Sequence, residues 1–365
     1  MKTLKKILFI LHLPPPIHGA GLMGKYIYDS FPINETFNTE FINLSTSKTV
    51  NEIGKKPILK IVRFFKIFWS TFHSILIFNP DKVYISISAN GFGFYKDLIL
   101  VLIVKLFRKK IVLHYHNKGV SSYQNNFIDN ILYKILFNKV KVILLSKYLY
   151  YDIEKYVKLI NVYFCPNGIP LVQPIQSYSK KNSPIKLLFL YNLIETKGIF
   201  VMLDALKLLK DKNIDFHCNI VGGEADISIT ELNSKLYTLG LNSEVSYLGK
   251  QYGDDKYTIY NNSDIFVFPT FYPDECFPLV LLEAMMFGLP VVSTKEGGIQ
   301  DIVKDNQTGY LVEKESPIKL AKKIESLIKH PNKVTKMGEY GRNQFLEKYT
   351  LNKFEEQLIE ILKCS

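Results

Sequence analysis

Two carboxylates, Glu275 and Glu283, stand eight residues apart within FYPDECFPLVLLEAMMFG, the stretch from Phe271 to Gly288. Acids so spaced across a turn into a helix would accept hydroxyl hydrogen bonds at two ends of one ligand, a sugar on one side and a ribose on the other. Between them, Pro278 suits the first turn of a helix, where its missing N–H costs nothing, and Gly288 followed by Pro290 is a stop signal. The spacing therefore predicts a helix from Pro278 to Phe287. The backbone N–H groups near Phe277, Leu279 and Val280 would have no partner inside that helix, which makes its start a phosphate site.

The elements around this turn must hold it in place. Asp264-Ile-Phe-Val-Phe-Pro269 is an apolar run without polar alternation and reads as a buried parallel strand ending at the proline. Val291-Val-Ser-Thr294 is a second short buried strand, and Gly297-Gly298 after it suits a tight turn or close backbone approach to a ligand. A pair of glutamates eight apart says little alone; the ordered set of strand, turn, helix and glycine pair says much more.

That set resembles the retaining glycosyltransferases of the GT-B fold, family four type. The likeness rests on Asp264 to Pro269, Glu275-Cys-Phe-Pro-Leu-Val-Leu-Leu-Glu283-Ala, Gly288-Leu-Pro-Val-Val292, Gly297-Gly298 and Thr308-Gly-Tyr-Leu-Val312. It extends to Ile185-Lys-Leu-Leu-Phe-Leu-Tyr191 and the following Asn192-Leu-Ile-Glu-Thr-Lys197-Gly198, which look like the family's phosphate-binding loop. The resemblance implies an α/β chain of two Rossmann-like, doubly wound parallel-sheet domains facing a central cleft, and a nucleotide diphosphate sugar as donor. It implies that Lys197 meets the diphosphate, that Glu283 meets the ribose, and that Glu275, Phe277, Pro278 and Leu279 run along the sugar. Many members carry an arginine where this chain has Asn192, so Lys197 would hold the diphosphate alone or with another cation. Val245-Ser-Tyr-Leu-Gly249-Lys250 looks like the family's base-contacting segment, with Gly249 at the turn.

Length and composition agree. With 365 residues, 47% of them hydrophobic, the chain can bury two cores. The expected division is 1–170, a linker 171–184, a nucleotide-sugar domain 185–350, and a last helix over 351–365 that crosses back to the first domain, as family members do. Its four cysteines are scattered without metal-ligand spacing, which fits a reducing cytosol. Met1 to His12 superficially suggests a signal peptide, but Pro14-Pro-Pro16 and His18-Gly-Ala-Gly21 follow with no small-residue cleavage site, so it reads as a first strand and glycine loop. In the family this loop faces the transferred sugar, which makes Gly19 and Gly21 site candidates.

Charge is uneven. Residues 1–170 hold 23 Lys or Arg against 9 Asp or Glu, net +14, and residues 171–365 hold 23 against 25, net −2. Pro57 to Phe78 reads as a helix in which Lys60, Arg63, Lys66 and His73 recur at three- or seven-residue intervals beside a broad face of Phe, Ile, Leu and Trp69. Such a helix suits the interface of an anionic membrane, and its regular charges argue against a spanning segment. Leu98 to Lys110 repeats the theme, ending in Arg108-Lys-Lys110. A buried helix with snorkelling lysines is the bland alternative, and nucleic acid is disfavoured because no recognised binding module is present.

Ile111-Val-Leu-His-Tyr-His116 alternates so that His114 and His116 share a face. A metal pair is conceivable there, but no neighbouring Cys, Asp or Glu completes it, and no DxD motif occurs; no cofactor and no divalent metal are expected. His116 instead matches the family histidine that contacts the donor sugar near the reacting centre. Together these readings describe a glycosyltransferase, peripheral on the cytoplasmic face of the cell membrane, with a lipid-linked glycan acceptor from bacterial surface polysaccharide synthesis. The alternatives are a nucleotide-sugar epimerase of related fold and a non-catalytic peripheral membrane protein with a vestigial nucleotide site.

Overall fold

The computed structural model describes residues 4–15, 18–45, 57–173 and 184–365, with side chains from residue 61 onward in the third stretch. The chain divides into two units, residues 1–168 with 351–365, and residues 169–350. Most of the expected linker, 174–183, lies outside the described residues.

The first unit is built on six parallel strands: β1 (Lys6–Leu11), β2 (Asn38–Asn43), β3 (Lys82–Ile87), β4 (Lys110–Tyr115), β5 (Lys141–Leu144) and β6 (Val162–Phe164). Their spatial order is β2-β1-β3-β4-β5-β6, with every pairing parallel. All six residues of β3 are buried, as expected of a strand covered by helices on both faces. The helix Leu351–Cys364 packs here against the helix Phe31–Thr36. Lys82 fastens its end, the ammonium donating to the Leu362 carbonyl at 2.5 Å and to the Ser365 hydroxyl at 2.7 Å.

The second unit has six more parallel strands: β7 (Ile185–Leu190), β8 (Phe216–Val221), β9 (Val245–Tyr247), β10 (Ile265–Phe268), β11 (Val291–Thr294) and β12 (Gly309–Val312). Their order is β9-β8-β7-β10-β11-β12, all parallel. The chain winds one way from β7 and the other way from β10, so connections diverge between these neighbours. A crevice at their carboxyl ends is the usual ligand position of such sheets. In the first unit the order reverses in the same way between β1 and β3.

Candidate functional site

At the β7/β10 switch point the chain leaves β7 through Tyr191-Asn192 and a short 3-10 turn, Glu195–Lys197, and leaves β10 through Pro269-Thr270. Gly198 closes the turn with φ +87°, and a Cβ there would overlap the Pro269 carbonyl oxygen. Only glycine lets the two strand ends approach this closely. Lys197 is thereby tucked in, about 2% exposed, with its ammonium 2.7 Å from Glu275 Oε2. The ammonium also lies 4.4 Å from the centre of the Tyr191 ring and 4.0 Å from that of Tyr272, and both rings can stabilise a cation. Thr270 Oγ1 is 3.4 Å from the same carboxylate oxygen. Burial, and then the Glu275 charge, pushes the Tyr191 hydroxyl well above the usual phenol range. The sequence reading gave Lys197 and Glu275 separate duties; the structure brings them together as one buried pair.

The loop carrying Glu275 is pinned from behind. Gly297, at φ +49°, sits so close to the Glu275 carbonyl that a Cβ would overlap it, and Gly298 donates to the Cys276 carbonyl at 2.6 Å. The glycine pair read from sequence thus serves a close approach to this loop. The helix runs Leu279–Met286, within a residue of the expected span at each end. Pro278 is its N-cap residue and no side chain caps it; among the described residues the N–H groups of Leu279 and Val280 find no acceptor. Phe277 and Pro278 are buried, with Phe277 edge-on to Tyr349 at 5.7 Å, so their side chains serve packing.

Glu283 is fully engaged. Its Oε1 lies 2.6 Å from Lys256 Nζ and its Oε2 accepts from the Tyr260 hydroxyl at 3.0 Å. Burial, followed by the Glu283 charge, raises the Tyr260 hydroxyl far above its ordinary range. Lys256 and Tyr260 were missed by sequence reasoning. Their four-residue spacing on the helix Gly253–Asn261 was the one signal that they share a face.

Asn192 uses its side chain internally, Oδ1 accepting from the Gly223 N–H at 3.2 Å, and Gly222 donates to the Gly249 carbonyl at 2.9 Å. These bonds tie the ends of β7, β8 and β9 together. Gly249 has φ +66° with open space where a Cβ would stand.

In the first unit, Gly19 and Gly21 are not in a loop. They form the first turn of the helix Gly19–Asp29, because His18 caps it, Nδ1 accepting from the Gly21 N–H at 3.1 Å. The N–H of Gly21, one of the expected site residues, is thus taken by a ring nitrogen. Gly24, one turn on, is required instead, since a Cβ there would overlap the His12 carbonyl.

His116 follows β4 and its ring lies 4.3 Å from that of His114. The Tyr84 hydroxyl and His114 Nδ1 are 2.6 Å apart, while His114 Nε2 and His116 Nδ1 are buried with no hydrogen-bond partner among the described residues. Burial, and then the nearby His18, lowers His116 to about 4. Burial, then Lys96, His18 and His116, lowers His12 to about 3. Both rings are therefore neutral near pH 7. The loop beyond is held by Asp152, whose carboxylate accepts from the N–H groups of Gly119, Val120 and Ser121.

Of the expected membrane-facing residues, the Lys60 side chain lies outside the described residues and Arg63 is half-buried. Lys66 and Trp69 are exposed. Trp69 does not sit on a separate apolar face; it shares one with Lys66 and His73. Leu98 to Lys110 is likewise not one helix. The helix is Gly91–Leu106, and Lys110 already begins β4, with Arg108 in the turn at φ +54°. No helix among the described residues is long and apolar enough to cross a membrane, and no group of three or more potential metal ligands occurs among them.

Residues 174–344 match the family model described as glycosyl transferases group 1. The chain is 32% identical over 168 residues to the capsular polysaccharide biosynthesis glycosyltransferase CapM of Staphylococcus aureus, covering 46% of this chain and 41% of that protein. It is 29% identical over 182 residues to the D-rhamnosyltransferase WbpZ of Pseudomonas aeruginosa, covering 50% and 46%. The matched region thus spans less than half the length of these relatives. Among solved structures, Anabaena HepE in complex with UDP has a TM-score of 0.76 at 18% identity, covering 99% of this chain and 100% of that one. Sucrose-phosphate synthase from Thermosynechococcus elongatus has a TM-score of 0.74 at 16% identity, covering 98% of each chain. At such identities the likeness is one of fold, two parallel-sheet units of the GT-B kind. Over residues 174–344, just under half of its length, the chain is thus similar to the glycosyl transferases group 1 family.

Proposed function

We propose that this protein transfers a sugar from a nucleotide diphosphate sugar to an acceptor hydroxyl, with the donor bound at the β7/β10 switch point. The observation that carries the reading is the desolvated Lys197 ammonium, held against Glu275 between two tyrosine rings beside an uncapped helix start. As the glycosidic C–O bond breaks, negative charge grows on the leaving phosphate. A pre-positioned ammonium and the free N–H groups of Leu279 and Val280 stabilise that charge without reorganising. Glu275 then orients Lys197 and meets the sugar, Glu283 meets the ribose, Gly249 lies by the base, and His116, neutral near pH 7, meets the sugar near the reacting centre. Gly19 and Gly21 act through the backbone of a helix start, and Asn192 through its side-chain tie to the end of β8. No protein nucleophile is assigned. In this reading anomeric configuration is retained, the donor phosphate takes the acceptor proton on the same face, and no divalent cation takes part.

The acceptor in this proposal is a lipid-linked glycan of bacterial surface polysaccharide synthesis, met at the cytoplasmic face of the membrane by the basic first unit. The capsular role in the name of CapM supports the polysaccharide setting, and HepE, solved with UDP, makes UDP-sugars the first donors to try. The test is incubation of a panel of nucleotide sugars with and without membrane extract, read by mass spectrometry. Extract-dependent transfer is expected. Rapid turnover of donor alone would indicate an epimerase, and absence of donor binding would leave a non-catalytic protein.

A further inference from the structure

The helices Pro57–Ile77, Gly91–Leu106 and Phe127–Phe137 form one neighbouring set in the first unit. Right-handed crossovers running the same way along the sheet put them on one face of it. Each presents apolar residues outward at three- and four-residue steps: Phe65 and Trp69 on the first, Phe92, Tyr95, Ile99, Leu102 and Leu106 on the second, Ile128, Ile131 and Ile135 on the third. Phe92 is 74% exposed, Leu106 77% and Trp69 62%. The only carboxylates on these three helices are Asp97 and Asp129, and both are buried. Lys66, Lys134 and, just past the second helix, Arg108 are exposed. A surface meant for water intersperses both signs of charge and avoids broad apolar patches. This one offers hydrocarbon and positive charge.

At one side of the layer, between the edge strand β2 and the helix Pro57–Ile77, lies a groove of about 570 Å³, within the size range of ligand sites. Lys66, Trp69, Ser70 and His73 line it from the helix, Glu40 and Asn43 from the strand. Lys66 has no ion-pair partner among the described residues. Glu40 accepts the Ser74 hydroxyl at 2.5 Å. Two nitrogen groups for a phosphate, an acid and an amide for hydroxyls, and an indole at the mouth match the headgroup of an anionic glycerophospholipid.

We infer that this groove seats such a headgroup while the three-helix face rests on the bilayer. The inference builds on the membrane-surface reading above and names the lipid and the residues that read it. A second copy of the chain is a poorer occupant, because two faces with exposed cations and no exposed acid repel. The basic face complements an anionic bilayer, and apolar residues repeated along three helices suit insertion at an interface.

Trp69 is the single tryptophan of the chain among 23 tyrosines, so emission excited selectively at tryptophan reports on the groove alone. Titration with phosphatidylcholine vesicles containing phosphatidylglycerol should shift its emission to the blue, and phosphatidylcholine alone should not. Lys66→Glu combined with His73→Ala should weaken vesicle binding by about tenfold or more, since each basic group near an anionic surface contributes severalfold. UDP binding by the same variant, read by calorimetry, should be unchanged. Loss of UDP binding by the wild-type chain with vesicle binding intact would sink the transferase reading only. No shift with anionic vesicles, an equal shift with neutral ones, or the full shift with soluble glycerol phosphate would overturn the inference. Emission that depends on protein concentration without vesicles would assign the face to a second copy.

Discussion

Lys197 and Glu275, 78 residues apart in sequence, meet at 2.7 Å with both side chains almost wholly out of water. Removing either partner strands a charge, which for buried pairs costs about 3–5 kcal/mol, whereas replacing both with apolar groups of similar size is often near neutral. Lys197→Met and Glu275→Leu should therefore each lower the urea midpoint sharply, and the double variant should recover most of the loss. Simple addition of the two losses would mean that the pair is not coupled in solution.

Catalysis separates the same two residues. If the ammonium stabilises the departing phosphate, Lys197→Met should lower kcat by about a hundredfold to a thousandfold, the usual effect of losing one pre-positioned donor. The double variant should restore stability without restoring kcat. Recovery of turnover along with stability would make Lys197 structural.

The strands β10 and β11, the helix at residues 279–286 and the helix at 57–77 were legible because their signals are local: unbroken apolar runs, a proline at the start, a glycine and proline at the end. The pairings within the site were not. Lys256 reaches Glu283 from another helix, and Gly24 is needed because of one carbonyl at the end of β1. Nothing near either residue in sequence signals that contact. The histidine cap of the first helix was hidden for another reason, since a ring nitrogen stood in for the Ser, Thr, Asp or Asn that usually marks an N-cap.

Tyr260 offers a test of how tightly Glu283 is held. Tyr260→Phe keeps the ring stacking on Phe287 at 5.6 Å and deletes the 3.0 Å bond to the carboxylate together with the longer one, 3.3 Å, to the Val280 carbonyl. A buried acceptor stripped of a donor costs about 1–3 kcal/mol. Thermal unfolding should show that loss, and donor affinity should also fall if Glu283 must be oriented to meet a ribose. Unchanged unfolding would mean that water replaces the hydroxyl.

Gly198 and Gly249 both have positive φ, +87° and +66°, but differ in the space around them. Gly249→Ala meets nothing and should cost about 1 kcal/mol of backbone strain. Gly198→Ala adds overlap with the Pro269 carbonyl and must push β7 and β10 apart, so its loss of Tm should be several times larger. Equal losses would contradict the close strand approach on which the Lys197 position depends.

His12 and His116 give stability a definite dependence on acid. Their folded values, about 3 and about 4, lie below the ordinary value of 6.5 because burial penalises the charged rings first and neighbouring cations add to it. Above pH 6.5 neither state binds these protons and stability is level. Below it the unfolded chain takes up protons that the folded chain refuses, so stability falls as pH drops from 6.5 toward 4. The slope reaches at most about 1.4 kcal/mol per pH unit for each ring. Urea midpoints measured across this window should fall with acid, and His12→Asn should flatten the slope by about one proton's worth. An unchanged slope in that variant would show that the His12 ring is already protonated, or open to water, in the folded protein.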